Sequence, residues 1–182
     1  MPTCAALETI TKSCDNNSGG LHGVALIQQD DVLGTTVVTT TAGDWRITGF
    51  TLTSVPSAIT FTDYSIRRNT SNYTEEVAAD LVNGSSFTTA TINLVFHRRE
   101  QAKSRAIKVL GSGQQYLSAI VKDANGKYWY FPYLQLSASG EGSGTGRADG
   151  SKYTVTLIAE NEFLAYEVVM TSGALAAIGV NF

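Results

Sequence analysis

Residues able to do chemistry are few in this chain and scattered along it. There are two histidines, His22 and His97, and two cysteines, Cys4 and Cys14. A catalytic nucleophile needs a base beside it and a group that orients the base. Each histidine stands near a strand end with no motif around it, and neither a Gly-x-Ser-x-Gly elbow nor a His-Glu-x-x-His pair occurs. Asp30-Asp31 and Glu75-Glu76 are paired carboxylates, but neighbours in a strand point to opposite faces and make a poor acid–base site. Cys4, Cys14 and His22 lack CxxC spacing and a fourth ligand, so they do not read as a metal site. The two cysteines either close one short disulfide loop or stay free thiols, the reading preferred here. The sequence points to no enzyme, no cofactor and no metal.

Three further patterns have a chemical and a plainer reading. The run Gly140-Glu141-Gly142-Ser143-Gly144-Thr145-Gly146 has the glycine content of a phosphate loop. It lacks Gly-Lys-Ser/Thr, and a strand rather than a helix follows, so it reads as a connecting loop. The stretch His97 to Lys108 carries Arg99, Lys103, Arg105 and Lys108, which could neutralise phosphates. With a net charge of −3 and a pI near 5.3, a solvated helix face or a contact with an acidic neighbour is the better reading. The aromatic cluster Tyr128 to Tyr133 could line a sugar or base site. Strand residues alternate faces, so core packing with a subunit interface explains it better.

The elements that would position these residues are mostly strands. A length of 182 residues allows one domain with its own core. Hydrophobic residues make up 43% and charged residues 16%, a share below the ~25% usual in soluble domains, which excludes a disordered charged tail. Low charge also suggests that much surface lies against other protein or is carpeted with Thr, Ser and Asn. No apolar run approaches the ~20 residues of a membrane helix. Met1 to Gly20 lacks the basic start and apolar stretch of a secretory signal.

Expected strands are His22 to Gln28, Trp45 to Thr53, Ala58 to Arg68, Tyr73 to Val82, Ser86 to Phe96, Gln115 to Lys122, Lys127 to Leu136 (whole or broken at Pro132), Tyr153 to Ala159 and Phe163 to Met170. Asn83-Gly84 marks a hairpin turn, and Asp123 to Gly126 marks another turn. One helix is expected, Arg99 to Leu110, with Ala102, Ala106, Val109 and Leu110 docked and Lys103 and Lys108 more exposed. Several strands, one helix and more strands give a mainly β fold, a sandwich or barrel with one flanking helix. It is read as a single domain with an N-terminal arm 1–20, a protruding hairpin segment 58–82 and a C-terminal tail 172–182.

The order of elements from Ser86 to Val168 resembles the C-terminal half of tailed-bacteriophage major tail (tail tube) proteins. A strand, Thr91 to Phe96, runs into the helix. Then come the strand Tyr116 to Val121, the turn Asp123-Ala124-Asn125-Gly126 and the aromatic strand Lys127 to Tyr133. A glycine-rich loop leads to Asp149-Gly150 and the alternating strand Tyr153 to Ala159. The opening Cys14-Asp15-Asn16-Asn17, followed by Gly19-Gly20, is similar to the start of structural proteins from such phages. The resemblance does not extend to Leu33 to Val82.

The resemblance implies a virion structural protein with no catalytic residues. Its copies would form hexameric rings stacked into a tail tube, assembled in the host cytoplasm. Implied partners are further copies of itself, the tape-measure protein, tail terminator and baseplate or tail-tip proteins, a sheath where the tail contracts, and double-stranded DNA as a non-specific passenger, without membrane insertion. The segments Ala58 to Val82 and Gly140 to Gly150 are expected to contact neighbouring subunits, through Tyr64, Arg67, Arg68, Tyr73, Glu75, Gly142 and Gly144. The first alternates imperfectly, and the second carries glycines whose ordering is entropically costly and no large apolar side chain. Other readings are a capsid decoration or head–tail connector protein, or a carbohydrate- or nucleic-acid-binding β module with its aromatic cluster or basic helix exposed.

Overall fold

The computed structural model describes residues 10, 14, 15, 17–39, 45–67, 69–80, 82–112, 115–146 and 148–182. In chain order these form β1 (Leu21–Gln28), a 3-10 turn (Gln29–Asp31), β2 (Val32–Thr39), β3 (Trp45–Leu52), β4 (Thr62–Tyr64), β5 (Asn72–Asp80) and β6 (Ser85–His97). They continue with α1 (Gln101–Leu110), β7 (Leu117–Asp123), β8 (Tyr128–Gly142), β9 (Lys152–Asn161), β10 (Tyr166–Val168) and α2 (Ser172–Ala177). The protein is mainly β, a curled half-barrel of sheet with few helices, as the strand-rich sequence predicts.

One face of the curl has the strand order β2-β3-β10-β8-β7-β1-β4, and the other continues through β8 to β9, β6 and β5. The 15-residue β8 belongs to both. Its first half pairs with β7 and β10, and its second half, from Gln135 to Gly142, pairs with β9. Pro132 therefore bends the strand without ending it. Between Leu117↔Leu134 and Ala119↔Phe131, three steps along β8 match two along β7, which is one bulged residue.

Two cores follow. Between the sheet halves lie Val24 and Leu26 of β1, Ala119 and Val121 of β7, and Phe131 of β8, facing Ile92, Leu94 and Phe96 of β6 and Val155 and Leu157 of β9. The last five carry the period-2 alternation of strands buried on one face. Ala25, Ile27, Ile120, Tyr130 and Val168 point the other way, into a second core with Phe61, Leu175 and Val180. Strands β1 and β7 are thus apolar on both faces, which explains unbroken runs such as Ala119-Ile120-Val121. A bulge between Leu21 and Gly23 lets Leu21 join Val24 and Leu26 in the first core.

The C-terminal segment is a lid on the second core rather than a tail. Thr171 caps α2 by accepting a hydrogen bond from the Ala174 N–H (3.3 Å), and Leu175 and Val180 are buried. Phe182 stacks on Tyr128 with ring centroids 6.2 Å apart, and its carbonyl accepts from Lys122 Nζ and Tyr128 OH (both 3.1 Å). The Phe182 ring occupies the place a side chain at residue 23 would fill, so any larger residue there must push the ring aside.

Helix α1 forms where the 3.6-residue period predicts it, but turned about its axis. Ala106 and Leu110 face the protein as expected, but Ala102 and Val109 are exposed, Val109 by 54%, and Lys103, Ser104 and Ile107 take their place. Polar contacts cause the rotation. Ser104 Oγ lies 2.6 Å from Tyr153 OH, and that hydroxyl also donates to Glu100 O (3.1 Å). Lys103 Nζ donates to His97 O (2.9 Å) and Arg98 O (3.2 Å). The segment 58–82 is likewise not one hairpin: β4 pairs with β1, and β5 pairs with β6.

Denaturant melts check both points. Gly23→Ala forces the Phe182 ring to move and is expected to cost about 1–3 kcal/mol, as overpacking does. Gly34→Ala, with nothing within 4 Å of the added carbon, is expected to cost far less. Ile107→Asp is expected to cost at least about 2 kcal/mol and Ala102→Asp under about 0.5; the reverse order would put the docked face back where the sequence placed it.

Candidate functional site

Among the described residues no cluster of metal-ligating groups assembles: no three His, Cys, Asp or Glu side chains could share a metal ion. Cys14 is exposed, and Cys4, the other half of the supposed disulfide or metal pair, lies outside the described residues. No described helix is long and apolar enough to cross a membrane. The surface that stands out is the outer end of the β5–β6 ribbon.

That ribbon is built by register and by its turn. Strands β5 and β6 pair from Asn72↔Asn93 to Asp80↔Ser85. Strand β9 supports β6 only as far as Thr88↔Asn161, so residues 78–80 and 85–87 pair with each other without a third strand beside them. Asp80 ties the turn: its carboxylate accepts from Asn83 Nδ2 and from the Val82 and Asn83 N–H groups (2.9 and 3.2 Å). Those bonds, the Asn83 side chain first, hold its carboxyl below the usual range. Gly84 closes the turn at φ +69° and donates its N–H to Asp80 O (2.8 Å). Apolar side chains stand among the polar residues of the projecting end: Val82 is 93% exposed and Phe87 42%, and Val77, at its base opposite Thr88, is 64% exposed. Val77 lies opposite Thr88 and Phe87 opposite Ala78, so alternation puts Val77 and Phe87 on opposite faces of the ribbon. A two-stranded ribbon is marginal in water by itself, and apolar groups on both faces invite cover.

A second open feature is β2, an edge strand. No described strand pairs with its outer side. Its sequence, Val-Leu-Gly-Thr-Thr-Val-Val-Thr, has none of the charges or prolines that blunt natural edges, and Leu33 and Val37 are exposed.

The contacts expected from sequence sit as follows. Tyr64 is half-buried against Phe96, with ring centroids 6.0 Å apart, and burial pushes its phenol up. Tyr73 packs edge-on against Phe131 at 5.2 Å. Burial, then the charges of Asp123 and Glu75, push its phenol up to about 12. Glu75 Oε1 accepts the Ala165 N–H (2.6 Å). These three side chains make contacts within the subunit. Arg67 is exposed, and Arg68 lies outside the described residues. Gly142 ends β8, and Gly144 sits at φ +72°, its Cα hydrogen facing Asp149 Cβ and Gly150 O. The glycine loop is internally tied, because Asp149 Oδ2 accepts the Thr145 and Gly146 N–H groups (2.9 and 2.8 Å). Val77, Val82 and Phe87 were not singled out from sequence. Their signal was apolar residues flanking Asn83-Gly84. The aromatic cluster divides by depth: Tyr130 and Phe131 are core, and Tyr133 is exposed.

Compared with known protein families, with curated proteins and with solved structures, the chain finds no match.

Glu75 offers a test by pH. Burial raises its pKa above the ordinary 4.5, partly offset by the Ala165 N–H. A raised acid pKa means the folded state holds the proton more tightly, so this group's contribution is full below pH 4.5 and is lost as pH rises through the folded pKa. Glu75→Gln retains an acceptor for Ala165 and removes the charge. Its stability at pH 7 is expected to equal or exceed that of the parent, with the difference vanishing in melts below pH 4.5. A variant clearly weaker at pH 7 would show that the charge itself is needed.

Proposed function

We propose that this chain is a virion structural protein of the tail-tube type, whose copies join into hexameric rings that stack into a conduit for DNA. The observation that carries the reading is the β5–β6 ribbon, which extends beyond β9 with Val82 in solvent, Phe87 partly exposed and Val77 exposed at its base. The bare β2 edge adds a row of backbone donors and acceptors able to extend a sheet into a neighbour. A charged share of 16% suits a subunit that covers much of its surface with copies of itself. The resemblance over Ser86 to Val168 supplies the ring and tube, along with the tape-measure, terminator and tip proteins as partners. The net charge of −3 agrees with DNA as a passenger that the wall does not grip.

Size-exclusion chromatography with light scattering tests self-association. The parent chain is expected to form rings or larger stacks as concentration rises. The double variant Val77→Asp, Val82→Asp is expected to remain monomeric, with a melt changed by under about 1 kcal/mol because both side chains lie mostly in solvent. A parent chain that stays monomeric at every concentration and salt would refute the reading. Assembly that survives the double variant would move the contact away from the ribbon.

A further inference from the structure

Backbone strain and an exposed aromatic ring coincide at Tyr133. Its φ is +56°, a left-handed conformation that tyrosine seldom adopts. Such strain persists only where the surroundings over-determine it, and it gathers at binding and functional sites. Here the Tyr133 N–H donates to Gln29 Oε1 (3.2 Å), and Asn161 Nδ2 donates to the adjoining Pro132 carbonyl (3.3 Å). What the strained backbone presents is a ring 52% exposed, set against Tyr116, itself 51% exposed, with centroids 6.0 Å apart and planes at 82°. The two rings wall a trough of about 740 Å³ whose other side is the β8–β9 ladder, through Gln135, Ser137, Glu160 and Asn161. That volume falls within the ~300–1,000 Å³ of ordinary ligand clefts.

The lining selects the ligand class. None of the trough's lining residues is Lys, Arg or His, and Glu160 repels anions, so phosphates and acidic sugars are poor fits. Gln135, Ser137 and Glu160 make no side-chain hydrogen bond to another described residue, which leaves an amide, a hydroxyl and a carboxylate available. An amide and a hydroxyl, which donate and accept, with a carboxylate that accepts, beside exposed aromatic faces, match a molecule with hydroxyls on its rim and C–H bonds on its face. We propose that the trough between Tyr116, Tyr133 and the β8–β9 ladder binds a neutral carbohydrate chain, with sugar rings stacked on the tyrosines and hydroxyls held by Gln135, Ser137 and Glu160. The inference rests on the single subunit and holds whether or not the chain forms tubes.

Calorimetric titration of the full chain with neutral hexasaccharides of glucose and of N-acetylglucosamine, α- and β-linked, is the test. At least one is expected to bind. Tyr133→Asn keeps a residue that tolerates the left-handed backbone, and Tyr116→Ala leaves the bend untouched. Each is expected to weaken binding roughly tenfold, the loss of one aromatic face. Absence of binding by the parent chain to every sugar overturns the proposal, as does binding indifferent to both substitutions. If the substitutions alter light scattering by the parent assembly and no sugar binds, the trough is a contact between copies and the proposal fails.

Discussion

The structure depends on one bend. Strand β8 is shared by both sheet halves, so the direction it takes after Phe131 decides whether β9 and β6 can lie over β1 and β7. Pro132 contributes no N–H to the ladder, and Tyr133 adopts a left-handed φ of +56°. A bend of this kind leaves backbone groups without ladder partners, and each such group costs about 1–3 kcal/mol if buried and unmet. The side chain of Gln29, from the turn after β1, meets this need by accepting from both the Tyr133 N–H and the Ser118 hydroxyl. Ser118, fully buried, also lies 3.0 Å from Tyr130 OH, and Asn161 reaches back from the end of β9 to the Pro132 carbonyl. Residues far apart in sequence therefore fix one angle, and the first core fills the space it encloses.

The opposite face is closed by different means. Glu167 on β10 pairs with Arg46 of β3 (3.1 Å) across the parallel β10–β3 junction and with Lys127 before β8 (2.9 Å) across the antiparallel β10–β8 junction. Both cations are about half exposed, so these pairs add little stability and serve chiefly as alignment. Stability on this side comes from the apolar lid of Leu175, Val180 and Phe182. With both cores closed, the unmet valence of the fold lies at its periphery, in the β5–β6 ribbon and the β2 edge. These open rims are the features that the proposed self-assembly would use.

Much of this was legible in the sequence, and the exceptions share a cause. Strands β6 and β9 were plain because one face is core and the other solvent, so apolar residues alternate. The turns at Asn83-Gly84 and Asp123–Gly126 were plain because glycine must take positive φ there, +69° and +82°. Strand β2 was missed: it lies at an edge, and Gly34 breaks its pattern. Helix α2 was missed because six residues cannot hold a helix without the tertiary contacts of Leu175. The docked face of α1 was misjudged because Ser104 and Lys103 dock through hydrogen bonds, while exposed alanines cost nothing. Whether Pro132 breaks its strand could not be decided from sequence, because its compensation, Gln29 and Asn161, lies far away along the chain. The apolar ribbon tip was visible only as Val82 and Phe87 beside a turn, and its exposure needed the register of β9 to be known.

Negative-stain electron microscopy of the purified full chain at high concentration tests the central claim most directly. The account predicts rings with a central hole, sixfold in face view, and hollow tubes made by stacking them. Uniform compact particles the size of one chain, with neither rings nor tubes at any concentration, would contradict it.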